Sequence, residues 1–149
     1  MPAYTRFAAM ILTSTIVMFG LMYLNTYQLD HVFFSETRMY MALVMGAVMA
    51  LIMIGFMWGM YENRTANIGI VAAAVVVFAG SLYLVRSQAT VGDVAYMKAM
   101  IPHHSIAIMT SRRANIEDPR VRELADGIAQ TQVEEIAQMK QLITDLEAR

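Results

Sequence analysis

The chain contains no cysteine among its 149 residues. This absence excludes disulfide scaffolds, thiolate zinc sites, iron–sulfur clusters and cysteine nucleophiles. Charged residues are also scarce, at 15% of the chain, and the formal net charge is −1. A near-neutral chain has no electrostatic footprint for nucleic acid, so we expect no nucleic-acid partner. Scarce charge combined with 58% hydrophobic residues is atypical of an ordinary soluble domain.

Long uncharged segments fill the first part of the chain. Three of them, at about 7–27, 39–61 and 68–85, are long and apolar enough to cross a lipid bilayer, for which a helix needs about 20 residues. The first lacks a strongly basic start and an A-x-A-like cleavage site, so we interpret it as a retained span rather than a signal peptide. Residues 1–87 are therefore predicted to form a three-helix transmembrane region.

The charges beside the spans predict an orientation. Arg6 precedes the first span, and Arg64 separates the second from the third. The first loop carries Asp30, Glu36 and Arg38. The positive-inside rule then places the N-terminus in the cytoplasm and the C-terminal segment outside. With three spans, the first loop and the C-terminal segment lie on the same side in either orientation.

The composition becomes polar after Val85, where most of the charged residues lie. Thr90 and Asp93 resemble a capping box, which predicts a helix from about residue 91 to about residue 115. Pro102 predicts a kink or a break within it.

A second tail helix is predicted to start at Asp118, because Asp at the N-cap followed by Pro119 is typical of a helix start. It should end near Glu147. Residues 88–149 are thus predicted to form an extramembrane helical hairpin, and the whole chain an all-α membrane protein.

Two polar residues interrupt the apolar stripe of the second tail helix. At about 100° per residue, Gln132 and Glu135 fall inside this stripe. Burying such groups without partners would cost about 1–3 kcal/mol each. The sequence therefore predicts a partner, either a polar contact within the hairpin or a bound ion. The apolar members of the stripe are Val121, Leu124, Ala125, Ile128, Ile136, Met139, Leu142, Ile143 and Leu146.

The first tail helix offers partners for these groups. Met97, Met100 and His104 share one of its faces, whereas His103 lies toward the edge and Met109 elsewhere. If the helices fold antiparallel about residues 115–118, polar and sulfur side chains of both helices come level. The set that we expect to converge is Met97, Met100, His104, Gln132, Glu135 and Met139, with His103 near enough to join.

Thioether, imidazole and carboxylate groups together favour copper. Thioethers select Cu(I), and imidazole suits copper, zinc, iron and nickel. A di-iron bundle would need a Glu-x-x-His motif, which the sequence lacks, and structural zinc prefers thiolates or more histidines. We expect copper, Cu(I) rather than Cu(II), with another metal or a metal-free polar core as alternatives. Only neutral imidazole ligates, so metal affinity should weaken below about pH 6.

Methionine is abundant, with 15 copies, and several lie at four-residue spacing in the second span. Close helix packing is predicted from the small-residue rows Ala42, Gly46, Ala50 and Gly55, Gly59. The methionines either fill gaps between packed helices or form a secondary path for Cu(I). The members of such a path would be His31, Met39, Met41, Met45, Met49, Met53 and Met57.

The tail resembles the family catalogued as domain of unknown function 305. The resemblance covers roughly residues 90–147. It rests on the motif Met100-Ile101-Pro102-His103-His104, followed by Ala107, Ile108 and Met109, and on Leu124-Ala125, Ile128 and Gln132-x-x-Glu135-Ile136-x-x-Met139. It implies a ferritin-like helical fold, export from a bacterial cytoplasm and, as in some members, copper bound through Met and His. Carried over by position, the metal ligands would be Met97, Met100, His103, His104, Met109, Gln132, Glu135 and Met139.

The chain departs from the exported members by adding three spans and by having one hairpin, which is half of a ferritin-like four-helix bundle. About 60 residues in two helices make a marginal core, so we expect a homo-oligomer, with a dimer favoured. The leading interpretation is a membrane-anchored copper-binding protein of the bacterial inner membrane for copper tolerance, storage or delivery to a cuproprotein. The alternative is a structural accessory subunit of a larger membrane complex. No nucleophile–base pair, nucleotide loop or catalytic dyad predicts an enzyme.

Overall fold

A computed structural model describes residues 2–148. It contains five α-helices, two short 3-10 turns and, among the residues it describes, no strand. The all-α prediction is confirmed. The helices are α1 (Ala3–Leu21), α2 (Glu36–Phe56), α3 (Arg64–Ser87), α4 (Asp93–Arg113) and α5 (Pro119–Glu147). The 3-10 turns are Leu29–His31 and Trp58–Met60.

Helices α1, α2 and α3 are long and apolar enough to cross a membrane. Their bounds differ from the predicted spans mainly at two ends. The first helix stops at Leu21 rather than near residue 27, and the backbone N–H of Tyr27 donates to Oγ of Ser105 at 2.7 Å instead of continuing a helix. The second stops at Phe56, and a 3-10 turn follows.

The structure forms two compact units, and each contains two stretches of the chain. Residues 2–22 and 37–90 form the first unit, and residues 23–36 and 91–148 form the second. The predicted division at residue 87 placed the loop 23–36 with the spans. In the structure this loop contacts the hairpin, because Tyr27 and Phe33 pack against its core. The predicted location of loop and tail on the same side of the membrane is compatible with this contact.

Small residues bring α1 and α2 together in the first unit. Ala42, Gly46 and Ala50 are buried. A Cβ atom added to Gly46 would lie 2.3 Å from Oγ1 of Thr15, so only glycine fits this approach. The other predicted row does not pack, because a Cβ at Gly55 or Gly59 would meet nothing within 4 Å.

Polar groups join the start of α1 to the start of α3. The hydroxyl of Tyr4 lies 2.9 Å from Oδ1 of the fully buried Asn67, whose amide donates to the carbonyl of Tyr61 at 3.0 Å. The ring of Tyr61 in turn contacts those of Tyr4 and Phe7. These contacts satisfy the one amide that α3 buries completely.

The second unit is a hairpin of α4 and α5 with the loop packed on it. The predicted start of α5 is confirmed, since Asp118 is the N-cap and its carboxylate accepts from the backbone N–H of Arg120 at 2.9 Å. The predicted capping box is wrong, because α4 has Gly92 at its N-cap and Thr90 instead bonds the hydroxyl of Tyr40 at 2.9 Å. Helix α4 continues through Pro102 without a break.

Candidate metal centre

The antiparallel crossing of α4 and α5 brings His104 and Glu135 into direct contact. Nε2 of His104 lies 2.7 Å from Oε2 of Glu135. The histidine side chain is 12% exposed, and the glutamate side chain is 46% exposed. One end of the pair is therefore inside the hairpin, and the other is open to solvent.

Both ring nitrogens of His104 face an oxygen atom. Nδ1 lies 3.0 Å from the carbonyl oxygen of Met100, and Nε2 faces Glu135. A neutral imidazole has one N–H and can donate to only one of them. When Nδ1–H donates to the Met100 carbonyl, the lone pair of Nε2 points at a carboxylate. At 2.7 Å only a proton fits between the two atoms, and a metal ion bound to Nε2 would move the carboxylate away. Such an N–H···O=C bond also orients metal-binding histidines in other proteins.

Sulfur atoms adjoin this pair. Met97 is buried, Met100 and Met139 are half-buried, and all three line an open groove of about 570 Å³ together with His104 and Glu135. The groove is also lined by residues that the sequence analysis did not place in the site, namely Asp93, Tyr96, Gln138, Asp145 and the apolar Leu142 and Leu146. Their helical angles would have placed Tyr96 and Gln138 at its edge.

The remaining predicted ligands lie at the margin of the groove or away from it. Gln132 donates to Oε2 of Glu135 at a long 3.4 Å. His103 is exposed, and its ring centroid is 6.3 Å from that of His104. Neither His103 nor the half-buried Met109 lines the groove. Within residues 2–148, no group of three or more His, Asp or Glu side chains is placed to hold a metal ion, so a metal here would need the thioethers.

A second polar contact on α4 was missed by the sequence analysis. Ser105 is completely buried, and its Oγ accepts the N–H of Tyr27 and lies 2.9 Å from Nδ1 of His31. Burial lowers the pKa of His31, and Lys140 lowers it further, whereas Asp30 opposes the shift. This contact fixes the loop on α4 one residue after His104.

The members of the predicted secondary path belong to both units of the structure. His31 is buried against Ser105 and lines a separate pocket with Tyr27 and Arg112. In α2, Met41 is exposed, whereas Met53 and the nearby Met57 pack against the apolar core of the first unit. Met39, Met45 and Met49 are half-buried. The packing of Met53 and Met57 agrees with gap filling.

The chain belongs to the family described as domain of unknown function 305 (DUF305), whose model matches residues 83–148. The resemblance indicated by the tail motifs is thereby confirmed. The chain is also 31% identical over 144 residues to the uncharacterized protein L153 of Acanthamoeba polyphaga mimivirus, a match that covers 92% of this chain and 93% of the relative. That relative therefore matches the apolar helices as well as the hairpin. No solved structure matches this chain.

Proposed function

We propose that the hairpin groove binds copper, as Cu(I), and that the chain is a membrane-anchored copper-binding protein. The contact between His104 and Glu135 carries the proposal, because two acceptor atoms 2.7 Å apart need a cation between them when Nδ1 is the protonated nitrogen. A metal ion that binds Nε2 can take the place of a proton there, because only the unprotonated nitrogen ligates.

The neighbouring thioethers decide which metal this is. Met97, Met100 and Met139 line the same groove as the pair. Thioether sulfur is a soft ligand that selects Cu(I) over zinc and over hard cations such as magnesium. We assign His104 Nε2 and two or three of these sulfur atoms as ligands, with Glu135 compensating charge and accepting from Gln132.

The groove is suited to holding and handing over copper rather than to turnover. It is open, and Glu135 is half exposed, so a partner can reach the bound ion. We therefore propose copper tolerance, storage or delivery to a cuproprotein, without enzymatic activity. We place the chain in a bacterial inner membrane with its N-terminus in the cytoplasm and the hairpin in the periplasm, because Arg6 and Arg64 flank the ends expected inside.

An anaerobic Cu(I) competition titration on the purified full-length protein tests the proposal. His104→Ala should lower the affinity by at least tenfold. His103→Ala is the matched control, because this exposed neighbour does not line the groove, and it should change the affinity by less than threefold. In the same way, Met100→Leu should weaken binding and Met109→Leu should not.

Two results would contradict the proposal. One is wild-type binding no tighter than a cysteine-free membrane protein of similar methionine content. The other is equal loss in His103→Ala and His104→Ala, which would move the site to the surface of α4. The first result would favour a structural accessory subunit, and co-purifying membrane partners would then be expected.

A further inference from the structure

One face of the hairpin carries large apolar side chains that the rest of this unit does not cover. Leu124 is 63% exposed, Ile128 41% and Leu142 43%, although the helical pattern assigns all three to an apolar stripe. On α4, Tyr96 is 54% exposed beside them. We call this surface, with Glu135 at its centre, the open face.

The open face is continuous with the hairpin core. On α5, Leu124, Ile128, Glu135 and Leu142 lie within about 40° of one another around the helix axis. The buried Ala125, Ile136 and Ile143 lie next to them. The apolar surface of α5 is thus wider than α4 can cover, as in a helix that packs on two neighbours.

We propose that a second copy of this chain covers the open face, with the two α5 helices packed antiparallel. Charge decides the direction. Parallel pairing would place Glu135 against Glu135 and Arg120 against Arg120, and like charges in contact are unfavourable. Antiparallel pairing centred near residue 133 places Leu124 opposite Leu142, Glu135 opposite Thr131, and Arg120 beside Asp145 of the second copy.

The surface is self-complementary, as a two-fold dimer interface must be. Its size also fits. At 1.5 Å per residue α4 is about 30 Å long, and two helices with axes 8–10 Å apart present a face about 20 Å wide. That is about 600 Å² per copy, close to the roughly 800 Å² that each partner buries in a standard interface.

The groove opens beside this face, because Tyr96, Glu135 and Leu142 belong to both. The second copy therefore covers the open side of the groove in the dimer, so that a partner reaches an ion bound in the groove from the monomer. The inference goes beyond the copper proposal and does not depend on it, because the exposed apolar side chains need covering whether or not a metal binds.

Cysteine cross-linking tests the register of the two α5 helices. Because the chain contains no cysteine, only the introduced residues can react. We expect a short bis-methanethiosulfonate reagent to dimerise the full-length double variant Leu124→Cys/Leu142→Cys in liposomes. Neither single variant should cross-link. In the antiparallel pairing each of these residues lies about 27 Å from the same residue of the second copy. Cross-linking of Leu124→Cys alone would overturn the antiparallel arrangement, and no cross-linking in any variant would overturn the interface.

A charge variant tests the interface without cross-linking. Leu124→Glu places one carboxylate of each copy in the dimer interface. We expect this variant to be a monomer when its mass is measured in detergent or nanodiscs. Gln141→Glu adds the same charge on the exposed far side of α5 and should leave the dimer intact. A wild-type monomer, or equal dimer loss in both variants, would contradict the proposal. A Cu(I) titration of each variant shows whether copper binding is lost, and it thereby distinguishes failure of the dimer proposal from failure of the copper proposal.

Discussion

Nε2 of His104 and Oε2 of Glu135 are 2.7 Å apart, and the other ring nitrogen of His104 faces the Met100 carbonyl. One imidazole thus has two oxygen neighbours and, when neutral, one proton to share between them. This geometry links metal binding to proton loss. The same link makes the copper proposal testable through pH.

Copper affinity should fall as pH falls. Copper and a proton compete for one imidazole nitrogen of His104. The apparent copper affinity therefore drops by up to about tenfold for each pH unit in the range where the imidazole protonates. A Cu(I) competition titration from pH 7.5 to pH 5 measures the slope. Met100→Leu should weaken binding and retain this slope, because a thioether does not titrate. A wild-type affinity that is constant across this range would remove His104 from the ligand set.

The hairpin unit should lose stability in mild acid through His31. Its pKa is lowered in the folded protein, mainly by burial, so the fold favours neutral His31. The stabilisation is complete above the ordinary histidine pKa of about 6.5 and is lost as the pH falls below it. Asp30 and Lys140 are the charged groups that act on the ring, and Arg112 lines the same pocket.

Thermal unfolding at pH 7.5 and pH 5.5 checks this. The Tm advantage of the wild type over His31→Gln should shrink at the lower pH. His103→Gln removes an exposed histidine and should leave the pH dependence unchanged. An advantage that grows on acidification would show that Asp30 outweighs burial at His31.

The contact between α1 and α2 should not tolerate a side chain at residue 46. In Gly46→Ala the new Cβ would lie 2.3 Å from Oγ1 of Thr15, so the helices must separate. We expect a loss of about 1–3 kcal/mol, the usual cost of overpacking. Gly20→Ala is the control, because a Cβ there meets nothing within 4 Å.

Unfolding of detergent-solubilised protein, followed by the single Trp58, reports this loss. Adding Thr15→Ala to Gly46→Ala should recover part of the stability by removing the obstructing atoms. Equal Tm values for Gly46→Ala and Gly20→Ala would mean that the two helices do not meet at this residue.

The orientation can be measured with introduced cysteines. Glu62 lies between α2 and α3, and Glu123 lies on α5; both are exposed. In intact spheroplasts a membrane-impermeant maleimide should label Glu123→Cys, and it should label Glu62→Cys only after permeabilisation. The opposite pattern would place the hairpin in the cytoplasm and contradict the periplasmic assignment.

The length of the uncharged segments was sufficient to predict the three apolar helices, and helical periodicity was sufficient to predict much of the groove. A 3.6-residue repeat and one turn of known position fix which residues of a hairpin face each other. For this reason Met97, Met100, His104, Glu135 and Met139 could be placed together from sequence. Met109 fell away from the groove because its angle on α4 differs from that of His104 by about 140°.

Other features depend on contacts between distant segments. The contact of Ser105 with Tyr27 and His31 joins residues more than 70 positions apart, and no local pattern signals it. The capping box was predicted wrongly because the Thr90 hydroxyl bonds the hydroxyl of Tyr40, a residue 50 positions away. Likewise, periodicity placed Leu124 in the apolar stripe of α5 but could not predict that α4 leaves this side chain exposed.

X-ray absorption at the copper K-edge of the Cu(I)-loaded full-length protein tests the central claim most directly, because it identifies the atoms bound to the metal. We predict a first shell that contains both sulfur and nitrogen, with the sulfur contribution reduced in Met100→Leu/Met139→Leu and retained in Met109→Leu. A shell of nitrogen and oxygen alone, or a sulfur contribution that the groove variants leave unchanged, would contradict a thioether copper site between α4 and α5.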